Sequence, residues 1–296
     1  MLNSLHLSHI TVDDISYLYS SAVQVHVLRL DKFDPVISGN KWFKLRFYLE
    51  EAIQQQKKGL ITFGGAWSNH IVATAAACQQ LKLQSIGIIR GEEPANWSPA
   101  LLDAKLAGMQ LLFIPREDYS GKHVPAVLHE LKNEYLLVPE GGYGIDGARG
   151  ASTIPDVLSQ PFTHYICAAG TGTMTAGLIN AAPSDSEVTA ISVLKNNYSL
   201  EPMITDLLHE SPARWSVLHD YHFGGYAKHK PPLLAFMNSF FERTRIPTDF
   251  VYTGKLFYAV DDLIRQSRFP AGSRILVIHS GGLQGNRSLP KGTLNF

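Results

Sequence analysis

The sequence predicts an α/β protein built as two open, twisted α/β domains with largely parallel sheets. Short apolar runs of strand length alternate with helical patterns along most of the chain. Most runs end in glycine just before a helix begins, which is the grammar of crossover units. The length, 296 residues, suits about two domains. Strand–helix–strand order forces parallel pairing, with helices covering both faces of each sheet.

Each element follows from its own pattern. Residues 22–30, AVQVHVLRL, read as a first strand. A turn at 38–40 opens a helix over 41–57, where Leu45, Tyr48, Leu49, Ala52 and Ile53 recur at helical spacing and Gly59 is the stop. GLITFGG (59–65) is a buried strand, and 68–82 an alanine-rich helix. Strands follow at 85–91, 110–115 and 135–142, with helices at 98–108 and 121–133 between them. The second half repeats the pattern: a short helix within 144–160, a strand at 164–170, a helix at 173–182 and a strand at 187–194. Helices at 200–210 and 231–243 flank a Pro-, Gly- and aromatic-rich stretch, 212–232, that reads as a long ordered loop. RILVIHSGG (274–282) is the last strand.

Composition narrows the function. Hydrophobic residues are 45% and charged residues 18%, an ordinary globular balance. Lys+Arg and Asp+Glu are both 26, so no basic face invites nucleic acid. No apolar run has the length of a membrane span, and the N-terminus lacks a secretory pattern, so the expectation is a cytoplasmic protein without a membrane partner. Cys78 and Cys167 lie far apart in apolar segments and read as buried thiols. Neither HExxH nor CxxC occurs, so no metal site is expected.

Four strand ends carry chemistry: Gly64–His70 (GGAWSNH), Glu140–Tyr143 (EGGY), Gly170–Thr173 (GTGT) and His279–Gly282 (HSGG). In open α/β sheets such ends face the ligand crevice. The Gly/Thr turn lets backbone N–H groups approach a phosphate, although a tight strand–helix turn needs the same residues. Ser68 or Asn69 is a good helix cap, and a helix start is also a seat for a carboxylate. In SGNKWFKLR (38–46), Lys41 and Lys44 lie one helical turn apart among aromatic residues. Surface lysines are the ordinary case, but burial, the helix dipole and a cationic neighbour all favour a neutral, nucleophilic amine. An amine for an aldehyde, a phosphate cradle and a carboxylate seat together describe pyridoxal phosphate chemistry on an amino acid. A nicotinamide reading of GTGTMTAG fails on spacing, because the third glycine is Gly177.

Here the chain resembles the 1-aminocyclopropane-1-carboxylate deaminase/D-cysteine desulfhydrase family, of the tryptophan synthase β-like pyridoxal enzymes. The resemblance rests on SGNKWFKLR, GGAWSNH, PEGG, AAGTGT, VYTGK and HSGG, in the family's order. It implies a large domain of residues 1–44 and 147–296, a small domain of 45–146, and pyridoxal 5'-phosphate in the cleft between them. Lys41 would hold the cofactor and act as base at Cα, with Ser68 and Tyr252 as further catalytic residues. Asn69, Gly170, Thr171, Gly172, Thr173 and Ser280 would bind the cofactor. Trp67, Ser68, Asn69 and His70 would face the substrate. A small amino acid as substrate and a homodimer are also implied. The expected reaction is α,β-elimination of the D-cysteine desulfhydrase type. Alternatives are cyclopropane deamination and a pyridoxal-binding protein with a degraded site. Departures from the family pattern are Thr173 and Met174 in the phosphate loop, Trp67 in place of a glutamine, and Val277 where a second tyrosine would stand on the last strand.

Overall fold

The computed structural model describes residues 7–19, 23–120, 130–209 and 213–296. Two sheets form the frame. The larger has six strands: β1 (Val12–Asp14), β2 (Gln24–Arg29), β7 (His164–Ala169), β8 (Glu187–Ser192), β9 (Arg214–Leu218) and β10 (Arg274–His279). Their spatial order is β1-β2-β10-β7-β8-β9, and every pairing is parallel except β1 with β2. The smaller sheet contains β3 (Gly59–Gly65), β4 (Gln84–Arg90), β5 (Gln110–Ile114) and β6 (Tyr135–Val138) in the order β5-β4-β3-β6, all parallel. The parallel α/β expectation is borne out in both.

Helix α1 (Asn40–Gln54) links the two sheets. Trp42, Phe43, Leu45, Tyr48, Leu49 and Ala52 are buried along it at the spacing of a helical stripe. They join one core cluster with Leu28 and Leu276 from the large sheet and Leu60 and Val138 from the small one. This packing fixes the first turn of α1 between the carboxyl ends of both sheets. Apolar burial on that scale, at roughly 25 cal/mol per Å2, is what holds the helix in place.

Among the described residues the remaining α-helices are α2 (Asn69–Gln80), α3 (Pro99–Leu106), α4 (Arg116–Ser120), α5 (Ile145–Ala151), α6 (Thr173–Ala181), α7 (Leu200–Thr205), α8 (Pro231–Thr244) and α9 (Thr253–Arg265). Several differ from expectation. Gly59 does not stop α1; the helix ends at Gln54, the chain turns at Gln56 (φ +55°), and Gly59 starts β3. There it admits no side chain, because a Cβ would lie 1.8 Å from the Gln84 carbonyl oxygen on β4. The expected loop at 212–232 contains β9, an edge strand paired to β8, and α8 begins at Pro231. Helix α9 was not foreseen at all. Of the helix expected at 121–133, residues 121–129 lie outside the described residues. Cys78 and Cys167 are free and buried, and burial pushes both thiols up to about 12. Among the described residues no helix is long and apolar enough to cross a membrane.

Candidate active site

The carboxyl ends of β3, β4, β7 and β10 and the first turn of α1 open on one cavity of about 650 Å3. That volume lies within the usual range for small-molecule sites. All four motif clusters contribute to its wall, including Lys41, Ser68, Asn69, Glu140, Thr171 and Ser280. Parallel sheets place strand ends on one side, which is why segments far apart in sequence converge here.

Lys41 is in the first turn of α1, and its Nζ donates to Asn40 Oδ1 at 2.9 Å. Burial lowers its pKa from 10.5 to about 8, and the carboxylate of Asp249 pulls the other way. Such an amine is far more readily deprotonated than a solvated lysine. Lys44 is 4% exposed, and its pKa falls well below the ordinary value through burial first and Lys41 second. The cationic-neighbour effect therefore falls on Lys44. Gly39 makes the approach possible. It has φ +67°, and a Cβ there would lie 1.8 Å from the Ser280 carbonyl oxygen. The Asn40 N–H donates to that same oxygen at 3.2 Å, tying α1 to the end of β10.

The Gly/Thr loop forms a cradle at the start of α6. Gly172 is left-handed (φ +76°), and a Cβ there would meet Ile204 at 2.7 Å. The hydroxyls of Thr171 and Thr173 lie 3.1 Å apart, and Thr173 is fully buried. Unpaired N–H groups at the first turn of α6 and the helix dipole favour an anion at this place. Met174 is buried and receives the Asn40 amide on its sulfur at 3.1 Å. Thr173 and Met174 are thus both buried and both reach the cavity wall.

Across the cavity, Ser68 caps α2 by accepting the Ile71 N–H at 3.3 Å. Asn69 lies beside it, with Nδ2 at 3.5 Å from the Gly282 carbonyl oxygen. Trp67 is 40% exposed on the same wall. His70 is 2% exposed. Thr62 Oγ1 donates to the Val138 carbonyl oxygen at 2.9 Å, so it accepts from His70 Nε2 at 2.8 Å. The ring proton is therefore on Nε2, and Nδ1 is a buried lone pair without a partner. Burial, then Lys44 and Lys41, hold this histidine well below its usual pKa, so it stays neutral.

Two groups at or behind this wall escaped the sequence reading. Tyr252 packs edge-on against Tyr226, with ring centroids 6.2 Å apart, and both line the cavity. Tyr226 comes from the segment between β9 and α8, just after Gly224 and Gly225, both with positive φ. Val277, where a second tyrosine was sought, is fully buried inside β10. The aromatic neighbour of Tyr252 is Tyr226, on a different element. Asp249 is the other omission. It is fully buried, and its carboxylate accepts the N–H groups of Val251, Tyr252 and Thr253 at 2.8–2.9 Å. Burial raises its pKa and those hydrogen bonds oppose the rise. The Asp–x–x–x–Thr spacing that runs from Asp249 into VYTGK was the available signal, since Thr253 and Asp249 cap each other reciprocally. Burial first, then Tyr226 and Asp249, hold the Tyr252 hydroxyl well above its usual pKa, so it remains a proton carrier.

The donor set fits pyridoxal phosphate. A desolvated amine faces a space with an anion cradle on one side and a capped helix start on the other. Among the described residues no group of three or more His, Cys, Asp or Glu side chains could hold a metal ion.

Comparison with known proteins bears on the fold and the family. A bifunctional D-cysteine desulfhydrase/1-aminocyclopropane-1-carboxylate deaminase of Arabidopsis thaliana, a mitochondrial protein, is 29% identical over 279 residues, covering 84% of this chain and 70% of its own. The D-cysteine desulfhydrase of Yersinia enterocolitica is 25% identical over 285 residues, covering 88% and 86%. A crystal structure of an ACC deaminase homologue superposes with a TM-score of 0.80 at 26% identity, over 96% of this chain and 92% of that one. Residues 19–281 match the model of the pyridoxal-phosphate dependent enzymes, and the chain belongs to that family.

Proposed function

We propose that the chain is a lyase that takes a small amino acid through α,β-elimination, as a D-cysteine desulfhydrase does, giving pyruvate, ammonia and sulfide. The observation that carries this reading is the Lys41 amine, lowered to about 8 and set between the Gly/Thr cradle and the start of α2. Bound there, pyridoxal phosphate supplies an aldehyde for the substrate amine and a ring that accepts the electrons left at Cα.

Lys41 would hold the cofactor at its Nζ and would take the Cα proton. Gly170, Thr171, Gly172 and Thr173 would hold the phosphate. Ser68 and Asn69, with the free N–H groups of α2, hold the substrate carboxylate, and Trp67 closes that wall. The bare Nδ1 of His70 cannot donate to a carboxylate; it accepts a proton donor instead. Ser280, on the cavity wall, would offer a hydroxyl to the ring nitrogen, which would leave the ring a moderate electron sink suited to elimination. Tyr252 supplies the proton that the leaving group needs, with Tyr226 behind it. We place the division between a small and a large domain at residues 45–146 and at 1–44 with 147–296. A homodimer in the cytoplasm completes the reading.

A second reading, opening of 1-aminocyclopropane-1-carboxylate, gains from Tyr226, which restores the second tyrosine that Val277 lacks. One assay separates the two. The holoenzyme is offered D-cysteine, L-cysteine and the cyclopropane in turn, with sulfide, pyruvate and 2-oxobutanoate measured. Pyruvate and sulfide from D-cysteine alone support elimination. Release of 2-oxobutanoate supports ring opening, and no product from any of the three defeats both.

A further inference from the structure

Two arginines on the cavity wall have no task in the reaction just described. Arg90 ends β4, in register with Gly65 of β3. A Cβ on Gly65 would lie 3.5 Å from Arg90 Nη2, so the guanidinium rests beside the strand end that leads to Ser68. Arg116 opens α4 just beyond β5, and a Cβ on Gly91 would lie 3.8 Å from its Nε. The Tyr119 ring centroid is 5.6 Å from Arg90 Cζ, which steadies the flat face of the guanidinium and leaves its N–H edge available. Among the described residues neither arginine has an ion pair or a side-chain hydrogen bond.

The charge balance of the wall is unusual for a site that takes a neutral side chain. Arg90 and Arg116, both exposed on the wall, face one carboxylate among the described lining residues, Glu140, while burial holds Lys41 and Lys44 toward the neutral amine. Glu140 already accepts the Tyr119 hydroxyl at 3.0 Å. The cofactor phosphate and the substrate α-carboxylate have their own seats at the starts of α6 and α2. Arg90 also lies within electrostatic reach of Tyr226, on the tyrosine side of the cavity where the leaving group departs. Unpaired like charges converging on one cavity repel each other, and an anion between them relieves that repulsion. A guanidinium fork is the group best shaped to take an oxyanion.

We propose that Arg90 and Arg116 receive an oxyanion at the far end of the substrate side chain, so that the enzyme prefers amino acids whose β-substituent is negatively charged. This rests on the amino-acid reading of the cavity and names its substrate class. With O-phosphoserine the balance is simple. The Cα–H bond breaks and Lys41 takes the proton. The electron pair left at Cα forms the Cα=Cβ bond, and the Cβ–O pair leaves with phosphate. One water then converts the released enamine to pyruvate and ammonia.

The test compares aspartate with asparagine, nearly equal in shape and different in charge, by titration calorimetry on the holoenzyme with both hands of each. The expected result is at least tenfold tighter binding of aspartate in one hand. That ratio should fall toward one in Arg90→Gln and in Arg116→Gln, and shrink as salt rises. Equal affinities in the unaltered protein, a ratio that survives both substitutions, or no binding of either amino acid would overturn the proposal. Failure of the elimination reading shows separately, as no pyruvate from D-cysteine or O-phosphoserine, while the binding ratio still reports on the arginines.

Discussion

Gly39 stands where no side chain fits, against the Ser280 carbonyl oxygen, at a positive φ that other residues adopt at a cost. Its neighbour Lys41 takes its position from that contact. Gly39→Ala should therefore separate α1 from the end of β10, costing about 2–4 kcal/mol and most of the cofactor affinity. Denaturant unfolding and titration with pyridoxal phosphate would check both; a substitution that changes neither would show that the contact is dispensable. At this scale the convergence of Lys41, Ser68 and the Gly/Thr loop on one cavity was legible, because each is announced by neighbours within a few residues. Tyr226 and Asp249 were not. Their partners lie on other elements or under burial that a linear reading does not register, so a loop tyrosine and a loop aspartate looked ordinary.

The helices differ in how they announce themselves. Helix α2 has Ser68 at its cap and a run of alanines behind it, and its expected bounds were close. Helix α9 has Tyr252 at the cap position, with no side-chain cap of its own. Asp249 does that work from three residues upstream, gathering three N–H groups and the Thr253 hydroxyl. The helix start was hidden because the capping group is not where the pattern looks for it. Asp249→Ala leaves those donors buried and unpaired, and should cost about 2–4 kcal/mol. It should also loosen Tyr252, whose backbone N–H it holds. A thermal shift of less than a degree would contradict this account. Strand β9 escaped for another reason: it is short, at the sheet edge, and half-buried, so its apolar signal is weak.

Across the whole molecule, buried titratable groups give stability a shape in pH. Burial lowers Lys41 and Lys255 from 10.5 to about 8, and Lys44 shifts the same way. Above pH 8 the unfolded chain binds more protons at these amines than the native one, so stability rises with pH. The thiols of Cys78 and Cys167, raised from 9.0 to about 12, act in reverse above pH 9. The cofactor-free protein should therefore gain roughly 1 kcal/mol from each of Lys41 and Lys255 between pH 8 and 9, and climb less steeply above pH 9 where the thiols oppose it. Lys255 is fully buried and bonded to the Val193 and Gly225 carbonyl oxygens, and Lys255→Met should flatten the climb. A denaturant midpoint that falls from pH 8 to 9 would contradict this. The two-sheet architecture was the most legible feature, because alternating strands and helices allow few arrangements. How the two sheets join through α1 was not, since that depends on side chains packing from both.

The central claim is that one amine, Lys41, holds the cofactor. The direct measurement is to reduce the holoenzyme with borohydride, digest it and locate the phosphopyridoxyl group by mass spectrometry. The account predicts a single tag on Lys41, and no tag in Lys41→Ala. A tag on Lys44 or Lys255, or none on any lysine, would contradict it.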